Sequence, residues 1–232
     1  RIQHFISRKA MDIEGLGGET VALLVNAGLI NNYSDLYELT KAQVMPLERM
    51  AEKSADNLIQ GVSASKQISF ERVLFALGIR FVGETVAKKL AKHYKTIDAI
   101  AKASIDDLVN VDEIGIKIAE SVIAFFHSEA NCQIIDKLKR FGVQLEVSAE
   151  QLANQTNKLE NQIFVVSGVF EMVSRTELKK LIEDNGGKVS SSISSKTSYI
   201  VAGDKMGPSK KEKAEQLGIP LISEHEFLQK LD

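Results

Sequence analysis

Gly15-Leu16-Gly17-Gly18-Glu19-Thr20-Val21 sets a glycine on each side of a leucine and then opens a helical pattern of apolar residues. The same block, a hydrophobic residue, then Gly or Ala, then three residues and a small apolar position, returns three times. It reads Met50-Ala51-Glu52-Lys53-Ser54-Ala55, Val82-Gly83-Glu84-Thr85-Val86-Ala87 and Ile114-Gly115-Ile116-Lys117-Ile118-Ala119. From Gly17 through Ala51 and Gly83 to Gly115 the intervals are 34, 32 and 32 residues. A fixed period of this size marks stacked copies of one supersecondary unit. A Gly-containing turn that leads into a helix presents unpaired backbone N–H groups, and the helix dipole adds partial positive charge. Four such turns in register predict a surface that tracks a phosphate backbone.

Around these blocks, residues 1–147 read as almost entirely helical. Apolar residues recur at three- and four-residue spacing in Val21-Leu24-Val25, Leu58-Ile59-Val62, Val73-Leu74-Leu77, Val86-Leu90 and Ile118-Val122-Phe125-Phe126. Ser34, Thr40, Ser69, Thr96 and Ser104 suit N-caps, and Gly28, Gly78 and Gly142 suit helix C-termini. Each block therefore joins two helices, a helix-hairpin-helix unit. Its backbone N–H groups are helped by a nearby side chain: Thr20 in the first, Lys53 in the second, Thr85 and Lys88 in the third, Lys117 in the fourth. The candidate backbone-binding set is Gly15, Gly17, Gly18, Thr20, Lys53, Arg80, Gly83, Thr85, Lys88, Gly115 and Lys117, with Lys89, Lys92 and Lys95 extending a positive stripe. The units are unequal. Arg49 and Ala51 stand where the first unit has glycines, an Ala at positive φ is strained, and Glu113 occupies the first glycine position of the fourth unit. The first and third units are expected to grip best, the fourth to suffer repulsion from Glu113, and the second to be architectural.

The polar segment 148–157 reads as a linker. Beyond it the period changes to strands near 162–167, 188–190, 198–202 and 220–222, alternating with helices near 174–185, 209–217 and 224–231. That alternation predicts a parallel sheet covered on both faces. The expected fold class is thus multidomain: an all-α helix-hairpin-helix array over 1–147, then a small α/β domain over 158–232.

Bulk properties bound the function. Lys and Arg number 18 against 20 Asp and Glu in residues 1–150, and 11 against 11 in the remainder. Neither part has the positive excess usual for a DNA-binding module, so binding has to come from local geometry. A lone Cys132, read as a small core thiol, excludes an internal disulfide and a multi-cysteine zinc site. No apolar run approaches the roughly 18 residues of a membrane span, and no signal-peptide pattern opens the chain. A cytoplasmic, nucleoid-associated protein is expected. The first residue is Arg1 rather than Met, which fits a piece of a longer chain.

The stretch Arg1-Ile-Gln-His-Phe-Ile-Ser-Arg-Lys-Ala-Met-Asp-Ile-Glu-Gly-Leu-Gly17 resembles the region after the zinc finger of bacterial NAD-dependent DNA ligases. Leu74-Phe-Ala-Leu-Gly-Ile-Arg-Phe-Val-Gly83 resembles that family's third-hairpin signature, with Phe81 where many members carry His. Residues 158–232 resemble a BRCT domain of the ligase type through Val166-Ser167-Gly168, Ser174-Arg175, Asn185-Gly186-Gly187-Lys188-Val189 and Lys196-Thr197-Ser198-Tyr199-Ile200-Val201. The resemblance implies a four-stranded parallel sheet with three helices. In phosphate-binding members it also implies a site made by Ser167, Gly168, Arg175 and Lys210.

For the parent protein, the resemblance implies nick sealing between a 3′-hydroxyl and a 5′-phosphate in replication and repair. It implies NAD, Mg2+ and a structural Zn2+ as cofactors, and an adenylation domain and an OB-fold N-terminal to this region. The Lys-x-Asp-Gly nucleophile motif does not occur in this sequence, so no catalytic residue is expected here. The expected partner is nicked duplex DNA, bound without sequence preference. The alternative is a non-catalytic repair scaffold or protein-interaction module, which the near-neutral charge also fits.

Overall fold

The structure, a computed structural model, describes residues 1–232. It divides into two compact units, Arg1–Ser148 and Ala149–Asp232. The first is all-helical: α1 (Ile2–Ile6), α2 (Gly18–Asn26), a 3-10 helix (Tyr33–Glu38), α3 (Lys41–Val44), α4 (Glu52–Ser65), α5 (Phe70–Ala76), α6 (Glu84–Tyr94), α7 (Ile97–Lys102), α8 (Ile105–Val109), α9 (Ile116–His127) and α10 (Glu129–Arg140).

The second helix of each repeat is amphipathic at the expected spacing and buries the same face. Val21 and Leu24, Ala55, Leu58 and Val62, Ala87 and Leu90, and Ala119, Val122 and Phe126 all enter one continuous core. Each fully buried leucine or valine there stabilises by about 1.5–3 kcal/mol. Phe5 stacks on Tyr33 with centroids 4.3 Å apart, and the Tyr33 hydroxyl donates to the Leu77 carbonyl at 3.1 Å. Burial pushes the Tyr33 phenol up to about 12, a small opposing pull from Arg1 notwithstanding. The end of this unit is pinned back on itself, because Ile97 N–H donates to Leu145 O (2.9 Å) and Val147 N–H to Lys95 O (2.8 Å).

Capping follows the sequence in part. Thr40, Thr96 and Ser104 accept from the third helical residue, two of them in reciprocal boxes with Gln43 and Asp107. Ser34 is not a cap: Asn32 caps the 3-10 helix, its side chain accepting from Ser34 N–H while Asp35 answers the Asn32 N–H. Ser69 occupies the N-cap position, yet its hydroxyl bonds the Glu71 carboxylate and leaves the backbone uncapped. Gly28, Gly78 and Gly142 all take positive φ just past helix ends, at 72°, 73° and 83°.

The second unit comprises α11 (Ala149–Ala153), β1 (Ile163–Ser167), α12 (Arg175–Asp184), β2 (Lys188–Ser190), β3 (Tyr199–Ala202), α13 (Pro208–Leu217), β4 (Leu221–Ile222) and α14 (Glu224–Gln229). The sheet is all parallel in the order β2-β1-β3-β4, with Val165 opposite Ile200 and Val166 opposite Val201. Successive β1 residues serve opposite faces. Phe164 and Val166 pack with Leu178, Ile182 and Phe227, whereas Val165 packs with Ile200, Met206, Ala214 and Ile219. Covering both faces is what makes Ile163–Val166 an unbroken apolar run rather than an alternating one. The segment 148–157 is not featureless: it carries α11, and Thr156 donates from its N–H to Asp184 O and from its hydroxyl to the Asn185 side chain.

Candidate nucleic-acid interface

The four repeated blocks share one backbone. Each runs from a buried or half-buried apolar residue, through one variable residue and one left-handed residue, to a second apolar residue and an extended N-cap. The left-handed positions are Gly15 (φ 83°), Arg49 (61°), Phe81 (66°) and Glu113 (68°). The N-caps are Gly17, Ala51, Gly83 and Gly115, with φ of −106°, −83°, −85° and −84°. In the last three units the second apolar N–H donates to the first apolar carbonyl: Met50 to Leu47, Val82 to Ile79 and Ile114 to Val111, at 3.0–3.1 Å.

This geometry corrects the strain assigned to Ala51. Its φ is negative and any residue adopts it; the left-handed residue of that turn is Arg49. The third unit holds Phe81 at the same strained position, so strain of roughly 1–2 kcal/mol per non-glycine residue is shared by units two, three and four. It does not set the second apart.

None of the four N-caps carries a side-chain hydrogen bond to its helix. By contrast Thr40, Thr96, Ser104, Ser128, Ser174 and Ser223 cap theirs with a hydroxyl. The first amides of α2, α4, α6 and α9 are thus left for another acceptor. A Cβ placed on Gly17, Gly83 or Gly115 would meet nothing within 4 Å, so the approach to these amides is open.

The charged surroundings differ between units. Glu19, Glu52 and Glu84 stand in the first turns of α2, α4 and α6, while α9 has no acid there. Lys41 bonds Glu52 at 3.0 Å and Asp56 at 2.9 Å, and Lys9 lies 3.7 Å from Glu84. Lys89 is not part of an outward stripe. It is mostly buried and reaches the fourth turn, 3.5 Å from Asp112 and 3.8 Å from Glu113. The Glu113 charge expected to repel a phosphate is therefore partly balanced. Lys53, Lys88, Lys92, Lys95 and Lys117 are exposed, as is Thr85, and Thr20 is half-buried. Arg80 stacks over the Phe81 ring at 4.8 Å, and that ring is 54% exposed. Cys132 is half-buried, its thiol donating to Phe126 O at 3.0 Å.

In the second unit, three of the four proposed phosphate residues meet at the C-terminal end of β1. Ser167 is the last strand residue and is buried; Gly168 follows at φ 103°; Arg175 opens α12 and donates to Val166 O at 2.9 Å. Gly168 has a structural reason of its own, because a Cβ would fall 2.6 Å from Gly203 O, where Val169 and Asp204 form an antiparallel bridge. Lys210 lies in the first turn of α13, half-buried, and no hydrogen bond ties it to Ser167 or Arg175. Sequence reasoning missed Glu224. Its carboxylate accepts from three successive amides, Glu171 (3.1 Å), Met172 (2.9 Å) and Val173 (2.6 Å), and so holds the loop that leaves β1. No group of three or more His, Cys, Asp or Glu comes together as a metal site would require, and no helix is long and apolar enough to cross a membrane.

The helix-hairpin-helix motif model matches residues 72–135, and the BRCA1 C Terminus (BRCT) domain model matches residues 154–229. The chain is similar to a DNA ligase of Christiangramia forsetii, 70% identical over the whole chain and 35% of that protein. A DNA ligase of Flavobacterium psychrophilum is 66% identical over 98% of the chain and 34% of its own length. One of Bacteroides fragilis is 54% identical over 98% and 34%. The chain thus spans about a third of the length of the curated relatives it matches.

Proposed function

Because the chain is a helix-hairpin-helix and BRCT-domain relative of DNA ligases, we propose that it is the DNA-positioning portion of an NAD-dependent ligase that seals nicks in duplex DNA. The observation that carries this reading is the set of four uncapped helix N-termini built on one repeated turn. Each offers two or three main-chain N–H donors and a partial positive charge to a phosphate oxygen. Contacts of this kind position a duplex without reading bases, which suits an enzyme that works at any nick. Glycine N-caps keep the approach open in units one, three and four, whereas Ala51 presents a Cβ in unit two. With Glu113 engaged by Lys89 and no acid in the first turn of α9, the fourth unit joins the first and third as a grip.

The adenylation chemistry belongs, on this proposal, to the parts of the relatives this chain does not span. The residues present do not fit the implied zinc site, because one cysteine cannot supply four thiolates. The chain alone is expected to bind nicked DNA and not to ligate it.

Titration of nicked duplex against the 232-residue chain over a range of salt tests the proposal. A binder that neutralises Z phosphates gives a log–log slope near about −0.9Z, and Gly83→Val weakens it more than Ala51→Val. Affinity that does not change with salt would replace this reading with the scaffold one. For the second unit, a 5′-phosphorylated duplex end is the proposed ligand of Ser167, Gly168, Arg175 and Lys210. Arg175→Ala and Lys210→Ala should each lower affinity for that end, and equal affinity for all three proteins rejects the site.

A further inference from the structure

Gly61 lies in the middle of α4, a 14-residue helix, half-buried and with no turn or cap to make. A glycine there costs roughly 0.5–1 kcal/mol relative to alanine, so its place needs a reason. A Cβ on Gly61 would sit 2.6 Å from the Glu14 carbonyl oxygen and 3.5 Å from the Glu14 nitrogen. That oxygen is main chain and cannot swing aside as a side-chain tip could. One residue on, the left-handed Gly15 faces the same helix, since a Cβ on it would lie 3.4 Å from Leu58 N. The second helix of unit two therefore touches the turn of unit one backbone to backbone, with a glycine on each side of the contact. Leu58, one turn before Gly61, is fully buried, and Val62, next in sequence, is buried in the same core.

We propose that Gly61 is a positioning residue for the first hairpin: it sets where the Glu14–Gly17 turn rests on α4, and hence where the open amides of Gly17, Gly18 and Glu19 point. The inference rests on the reading that these amides hold DNA phosphates. A methyl at position 61 pushes the Glu14 carbonyl outward from 2.6 Å towards ordinary contact at about 3.4–4 Å. Amide–phosphate hydrogen bonds tolerate little displacement of that size. Weakening one such bond to an ionised phosphate by about half is equivalent to about a threefold to tenfold drop in affinity.

The test compares the wild-type 232-residue chain with Gly61→Ala and with Val62→Ala, a core truncation on the same helix. Amide resonances are read without DNA, and nicked-duplex affinity at two salt concentrations. Gly61→Ala should shift the Gly15, Gly17, Gly18 and Glu19 amides, leave those of Gly83 and Gly115 in place, and weaken binding threefold to tenfold. Val62→Ala should bind like wild type. Unmoved first-hairpin amides, unchanged affinity despite moved amides, or a Gly61→Ala chain that no longer folds each overturn the proposal, the last because it would make Gly61 a core residue. A wild-type chain without salt-dependent affinity would instead overturn the DNA reading, and the amide shifts would still decide whether Gly61 sets the turn.

Discussion

At the level of single residues, the four hairpins separate two demands that a sequence of glycines merges. In the first unit Gly15 and Gly17 look equivalent, yet only Gly15 occupies the left-handed region, and only there is a side chain strained. Arg49, Phe81 and Glu113 show that the fold tolerates that strain. Gly15→Ala is expected to lower stability by about 1–2 kcal/mol, because it combines the strain with contact against Leu58 N. Gly83→Ala, at negative φ with open space around it, should cost about half a kcal/mol as a poorer N-cap. Urea unfolding of the two variants measures the difference, and equal losses would contradict the assignment.

At the level of elements, helix periodicity and the parallel sheet were legible because each rests on a local pattern. Val21–Leu24, Leu58–Val62 and Val122–Phe126 bury the faces their spacing predicts, and each of the four strands lies within about a residue of the predicted span. The pairings between distant side chains were not legible. Nothing near Lys89 in sequence announces Asp112, and nothing near Met172 announces Glu224, 52 residues away. For the candidate site the repeated turn could be read, but the residue that carries positive φ could not, since Gly15 and Gly17 are chemically identical. Glu224 yields a prediction at this scale. Glu224→Ala strands three amides next to Val169 and Met172, both 60% exposed. Because solvent can reach part of the loop, the cost should be about 1–3 kcal/mol. Hydrogen exchange should rise at Glu171–Val173 while the amides of β3 stay protected; unchanged exchange at the loop would show that Glu224 does not hold it.

At the level of the whole molecule, the helical unit is closed by ions as well as by its core. Lys137 on α10 bonds Asp35 on the 3-10 helix, 102 residues away, and also Glu38 at 2.7 Å, with Arg140 3.8 Å from Glu38. Burial opposes the Asp35 charge, but the Lys137 ammonium and the Asn31 and Asn32 amides outweigh it and hold the carboxyl below its ordinary 3.8. A carboxylate whose pKa falls on folding adds stability in full above its unfolded pKa, and that stability is lost as pH falls through the folded value. Asp35→Asn should therefore cost about 1 kcal/mol at pH 7, and the gap to wild type should close as unfolding is measured at successively lower pH below 3.8. A gap that stays constant with pH would mean the Lys137 pairing contributes nothing to stability.

The uncapped N-termini have one more consequence. A main-chain N–H carries no proton that comes off anywhere near neutrality, and a phosphodiester stays ionised throughout. A grip assembled from such amides has no titration curve of its own, unlike one assembled from histidines or cysteines. On the proposed reading, the hairpins' share of DNA affinity would be flat with pH from about 6 to 9. Any pH response of DNA binding in that interval would then arise in groups other than these amides.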